Sequence, residues 1–160
     1  MRIASTPGTS APPTCTAVAA PASVPVPAAS ITSHNGIFTV KSASSGEHRT
    51  FRVKTQKPDA TFAPGERIVS LLSGPNNGAD YRSFGILKAD GRIIVWKKHR
   101  GTQIEKLARM LERLDAHAAA GQVTVQAETR CRCCNRRLTT PTSISRGTGD
   151  ICHERHTAGL

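Results

Sequence analysis

The sequence predicts an α+β fold: a small antiparallel sheet carrying one amphipathic helix, joined to a cysteine-rich module at the C-terminal end. Three observations lead there. Apolar residues recur at period two in short runs between residues 37 and 97, a single run after Thr102 repeats them at steps of three and four, and four of the five cysteines fall in the last thirty residues. The 160 residues limit the chain to one or two small domains, and 22 Lys+Arg against 11 Asp+Glu give a net charge of +11. Such a balance favours polyanionic partners. No apolar run approaches the roughly 18 residues needed to cross a bilayer, so no membrane partner is expected.

Residues 1–33 are rich in Pro, Ala, Ser and Thr and contain no acidic residue. They offer little side-chain area to offset the entropy of ordering and read as a disordered tail. Pro21, Pro25 and Pro27 interrupt the Ala/Val stretch that a secretory signal would need, and Arg2 alone is too little for a transit peptide. Cys15, remote from every other cysteine, reads as a free, exposed thiol.

From His34 the pattern becomes alternating. Ile37-Phe38-Thr39-Val40-Lys41 and Thr50-Phe51-Arg52-Val53-Lys54 form a hairpin with one buried face, closed by a loop from Ser42 to Glu47. Arg67 to Leu72 is a third strand, ended by the turn formers Ser73 to Gly78. Phe84 to Lys88 and Arg92 to Lys97 flank Ala89-Asp90-Gly91, where Asp-Gly predicts a type I′ turn. Thr102-Gln103-Ile104-Glu105 has the form of a capping box, after which Ile104, Leu107, Ala108, Leu111, Leu114 and Ala118 mark the buried side of one helix ending at Gly121. Gln122 to Gln126 supplies a last strand. These elements place an α+β domain at 34–127 and a separate module at 128–160.

In that module Cys131 and Cys134 are two residues apart, and Cys152 and His156 stand at i, i+4. A tight turn presents the first pair to one ion, and one face of a helical turn presents the second. Cys131, Cys134, Cys152 and His156 thus make a tetrahedral Cys3His set for Zn²⁺, closed to water and substrate and therefore structural. His153 is the rival fourth ligand, and Cys133 is a spare thiol able to replace Cys134. A redox Cys-x-x-Cys or buried structural thiols are the other readings, and the former lacks its βαβ setting. Between the pairs, the polar stretch from Asn135 to Ile151 leaves room for a short hairpin and a Gly-x-Gly bend before a helix near Cys152. A knuckle, a hairpin and a helix are the order of a treble-clef-like zinc finger.

Cys131, Cys134, Arg136, Arg137, Leu138, Thr139, Pro141, Ser143, Ile144, Arg146, Gly147, Gly149 and Cys152 together resemble a small domain of unknown function found in bacteriophage and bacterial proteins. The resemblance covers about thirty residues and fixes three cysteines, so the fourth ligand rests on spacing. It implies a phage or mobile-element protein working in the bacterial cytoplasm and brings no established activity.

Residues 34–129 hold 15 basic and 9 acidic residues, and residues 130–160 hold 6 and 2. Arg130, Arg132, Arg136 and Arg137 crowd the cysteine knuckle, and Arg146 lies in the Gly-containing bend; their planar guanidinium groups suit phosphate. A second cluster, Trp96-Lys97-Lys98-His99-Arg100, adds Lys97, Lys98 and Arg100, with Trp96 read mainly as a core residue. No long recognition helix or clustered strand aromatics are present, so binding to DNA or RNA would run mostly through phosphates. The competing reading is a protein-interaction module that binds a host protein through a sheet edge, the Gly74–Gly78 loop or the finger. The acids are scattered and no phosphate loop occurs, so no enzymatic activity is expected; His34-Asn35 echoes a nuclease motif without its surrounding ligands.

Overall fold

The computed structural model describes residues 34–131 and 133–158, without the side chain of His156. The expected tail, with Cys15, and the expected role of Arg132 lie outside the described residues. Five strands run as a meander: β1 (Gly36–Ser42), β2 (His48–Thr55), β3 (Arg67–Leu72), β4 (Tyr81–Leu87) and β5 (Ile93–Val95). A 3-10 turn at Lys97–His99 leads to α1 (Gln103–Glu112) and α2 (Leu114–Ala119), and β6 (Val123–Ala127) then pairs with β1. The sheet is antiparallel throughout, in the order β5-β4-β3-β2-β1-β6. The cysteine module follows as β7 (Thr129–Arg130), β8 (Arg137–Leu138), α3 (Pro141–Arg146) and α4 (Asp150–Ala158). The fold is α+β, as the two hydrophobic periods require.

The alternating residues Phe38, Val40, Phe51, Val53 and Val69 meet Ala108, Leu111 and Leu114 of the helices in one core. Phe51 and Phe84 are fully buried and pack edge to face, with ring centroids 6.5 Å apart. Burying each such ring stabilises the fold by about 1.5–3 kcal/mol. Because α1 packs on β5 and α2 on β6, the helical segment crosses the sheet from one edge strand to the other.

Several local expectations are corrected. The helix divides at Arg113, whose backbone leaves helical values (φ −111°, ψ 20°), although no Gly or Pro marks the spot. Thr102 caps α1 by accepting from the Ile104 N–H, while the Glu105 carboxylate accepts from the Gly101 N–H, one residue earlier than a reciprocal capping box places it. The turn between β4 and β5 is not type I′. Of its residues only Gly91 has positive φ (85°), and the Gly91 N–H donates to the Lys88 carbonyl; this is a three-residue connection ending in a left-handed glycine. Asp90 favours it by accepting from the Arg92 N–H and pairing with the Arg92 guanidinium.

The larger correction concerns the sheet's second face. Instead of one buried face, β1 and β2 have two: Thr39 and Thr50, opposite each other in the register, are buried on the side away from the helices. Their hydroxyls share a hydrogen bond of 2.9 Å, and Thr39 donates to the Thr139 carbonyl at 2.7 Å. The cysteine module lies over this face. Asn77, in the loop after β3, donates to the Arg137 carbonyl, and Gln126 of β6 donates to Ser145 of α3. The alternation read as polar-out is therefore polar-against-polar, with the hydroxyls satisfied by the module that covers them.

Thr39→Val keeps the shape but removes the 2.7 Å donor to the Thr139 carbonyl and the partner of the Thr50 hydroxyl, leaving only the long 3.5 Å contact from Thr50. Urea denaturation should register a loss of about 1–3 kcal/mol, accompanied by faster hydrogen exchange at residues 137–146. A loss under about 0.5 kcal/mol, the ordinary range for a neutral surface change, would show that this junction does not hold the module.

Candidate metal centre

The knuckle is built by the backbone. The strand pair β7–β8 closes where the Cys131 N–H donates to the Arg136 carbonyl, and the Asn135 N–H donates back to the Cys131 carbonyl. Asn135 makes the bend in the left-handed region, φ 57°, where asparagine is tolerated better than most residues. The short helix α3 follows in the stretch where room for a short hairpin was expected. Thr140 caps α3 by accepting from the Ser143 N–H, Pro141 occupies its first turn, and Ser143 and Ile144 are buried; these signals favour a short helix over a strand. Gly147 (φ 71°) ends it, and α4 then carries Cys152 in its first turn, as expected.

These elements converge on sulfur. The Sγ atoms of Cys131, Cys133 and Cys152 all lie within 4.8 Å of one another. The exposed Cys134 completes the group, since its thiol hydrogen-bonds with both Cys131 and Cys152. Cys131 is buried against Leu138 and Ile144, and Cys133 and Cys152 pack on the same cluster. Four sulfurs on one tetrahedral ion sit about 3.8 Å apart, given metal–sulfur bonds near 2.3 Å. The spacing fits, and three to four of these cysteines can hold a metal ion.

The electrostatics also suit a cation. Burial pushes the Cys131 thiol up, but the backbone N–H groups of Gly149, Cys134 and Cys133, together with the Cys134 thiol, outweigh it and bring the group down to about 6. Cys152 is pushed up to about 11, first by its hydrogen bond with Cys134, then by burial and by Cys131. At neutral pH the cluster thus concentrates a negative charge on Cys131. A bound cation would displace the remaining protons.

Cys131, Cys134 and Cys152 are brought together as their spacing implies, and Cys133 joins them. Its signal is adjacency: a turn tight enough to aim Cys131 and Cys134 at one point carries the intervening residue's sulfur close to it. The expected fourth ligand, the side chain of His156, lies outside the described residues. Its rival His153 stands on α4 next to Cys152.

The arginines separate into two kinds. Arg137 pairs with Glu128 at 2.8 Å, and Arg146 pairs with Asp150 and donates to the Thr148 carbonyl, so both are engaged within the module. Arg136 is exposed, and Arg130 is exposed while donating to the Asn135 carbonyl at 3.0 Å. Lys97, Lys98 and Arg100 are exposed on the far side of the sheet order, at the end of β5.

Comparison with known families places this module. Residues 123–157 match DUF6011, a family of unknown function. The match begins at β6 and so takes in the sheet strand on which the knuckle is mounted. No curated protein and no solved structure matched the chain. Among the described residues, no helix is long and apolar enough to cross a membrane.

The two shifted thiols set a pH signature for the reduced, metal-free module. Cys131, with its folded value near 6 below the ordinary 9.0, stabilises the fold above pH 9 and loses that contribution as pH falls through 6. Cys152, raised to about 11, contributes stability present below pH 9 and lost as pH rises through 11. Stability followed by hydrogen exchange at residues 137–146 should climb from pH 6 to 9 and decline beyond it, and Cys131→Ser should flatten the rising limb. An unchanged rising limb in that variant would remove Cys131 as its source.

Proposed function

We propose that this is a small zinc-stabilised accessory protein whose exposed Lys/Arg groups bind the phosphates of DNA or RNA. Cys131, Cys134 and Cys152, the free cysteines among the described residues, would hold Zn²⁺ with His156 as the fourth ligand. A thiolate-rich tetrahedral set without an open position makes the metal structural, and it would supply folding energy to a segment with few apolar residues. On this reading residues 128–160 fold as a metal-dependent unit on the 34–127 domain.

The observation that carries the phosphate reading is the set of exposed cations without an internal ion pair. Among the described residues, Arg136, Lys97, Lys98 and Arg100 are exposed and take part in no salt bridge, on a chain of net charge +11. Arg130 joins them; Arg137 and Arg146 serve the module's own structure first. Scattered carboxylates support a binding role over an enzymatic one. The resemblance of the module to phage and bacterial proteins supports a mobile-element protein acting in the bacterial cytoplasm.

The test is fluorescence anisotropy of labelled oligonucleotides with the metal-loaded chain across a salt series. Binding should weaken steeply with salt, because phosphate neutralisation releases counterions. The double substitution Arg130→Gln, Arg136→Gln should weaken binding and reduce the logarithmic salt slope by about 1 for each phosphate that is no longer neutralised. Absence of binding at low salt would overturn the reading and leave a host protein as the partner to seek.

A further inference from the structure

Trp96 does not join the main core. Ile93 and Val95 of β5 face the helices, so Ile94 and Trp96 fall on the opposite side, and Ile94 is half exposed. There Trp96 stands at the centre of an aromatic and cationic group. Phe62 meets it edge-on, with centroids 5.7 Å apart at 87°, and His99 stacks on it at 6.4 Å and 23°. The Lys98 ammonium lies 5.3 Å from the centre of the indole ring. Lys97 and Arg100 complete three cations within four residues.

Phe62 is the unusual member. It is 55% exposed, yet it sits in an ordered loop. That loop is tied by the Gln56 N–H to the Glu66 carbonyl, the Gly65 N–H to the Lys57 carbonyl and the Glu66 N–H to the Ala63 carbonyl. The next residue, Ala63, takes φ 47°, a conformation that L residues other than asparagine, aspartate and histidine rarely adopt. A strained, hydrogen-bonded loop thus holds an aromatic ring out to solvent beside lysines that no carboxylate among the described residues neutralises.

We propose that this face binds single-stranded nucleic acid, with an unpaired base stacked on Phe62 and the adjoining phosphates met by Lys97, Lys98 and Arg100. The assignment rests on the phosphate-binding reading above and deepens it by naming the strand form and the stacking residue. A duplex keeps its base faces covered, whereas an unpaired base offers the flat apolar surface that an upright ring accepts. Trp96, flanked by His99, Lys98 and Phe62, is the support that orients the ring. An acidic peptide would satisfy the cations and leave Phe62 without a partner.

Trp96 is the only tryptophan, so its emission reports on this face alone. The metal-loaded full chain is titrated with oligothymidylate, with a mixed-sequence duplex and with polyglutamate, reading both tryptophan emission and anisotropy. Oligothymidylate should change the emission saturably, and Phe62→Ala should weaken its binding by about tenfold or more, the effect of removing one base–aromatic stack. Phe62→Tyr should restore it, and duplex binding should be unaffected by either change. Equal oligothymidylate binding by Phe62→Ala and the parent chain, or an equal emission change with polyglutamate, would overturn the stacking site. If binding in that case still falls with salt and with Arg136→Gln, the phosphate reading survives on its own. No binding of any oligonucleotide would overturn both.

Discussion

The C-terminal module must be held together without a hydrophobic core of ordinary size. Leu138 and Ile144 are its only buried aliphatic residues among those described, and they pack against sulfur. So small an apolar set repays only part of the entropy of ordering two short helices and a knuckle. The convergence of Cys131, Cys133, Cys134 and Cys152 answers this constraint. Sulfurs directed at one point by a knuckle rich in backbone N–H groups are poised to take up a cation, and metal binding then becomes folding energy.

The same module completes the sheet. Thr39 and Thr50 are buried hydroxyls on a strand pair whose other face already belongs to the main core, and the Thr139 carbonyl is what satisfies them. A solvated antiparallel face would need no such cover. The second anchor is electrostatic: Arg137 pairs with Glu128 while its carbonyl accepts from Asn77, binding β8 to the start of the module and to the loop after β3. The family match starting at β6 is in keeping with a module that includes its mounting strand.

The strands and the helical segment are legible in the sequence because each depends on one local periodicity. Phe38, Val40, Phe51 and Val53 advertise a buried face at period two, and Ile104, Leu107, Ala108 and Leu111 do so at the helical period. What escapes depends on tertiary neighbours. Thr39 and Thr50 look like solvent-facing strand residues until Thr139, about ninety to a hundred positions away, arrives over them. Trp96 looks like a core residue because apolar side chains precede it, but the strand's alternation places it opposite the helices, with Phe62 from a distant loop. The short helix beginning at Pro141 hides in a polar stretch, although Thr140 and Pro141 give a recognisable start. Of the site, the Cys131–Cys134 spacing and the helical placement of Cys152 are readable; the inclusion of Cys133 requires the geometry of the turn.

That these cysteines jointly bind one metal ion is tested most directly by titrating the reduced chain with Co²⁺ and following absorption, because thiolate ligation in a tetrahedral field gives sulfur-to-cobalt charge transfer and intense visible bands. Saturation at one equivalent per chain is expected, with bands typical of at least three thiolates that disappear when Zn²⁺ displaces the cobalt. Absence of thiolate bands, or saturation only as octahedral, oxygen-ligated cobalt, would contradict a shared metal centre.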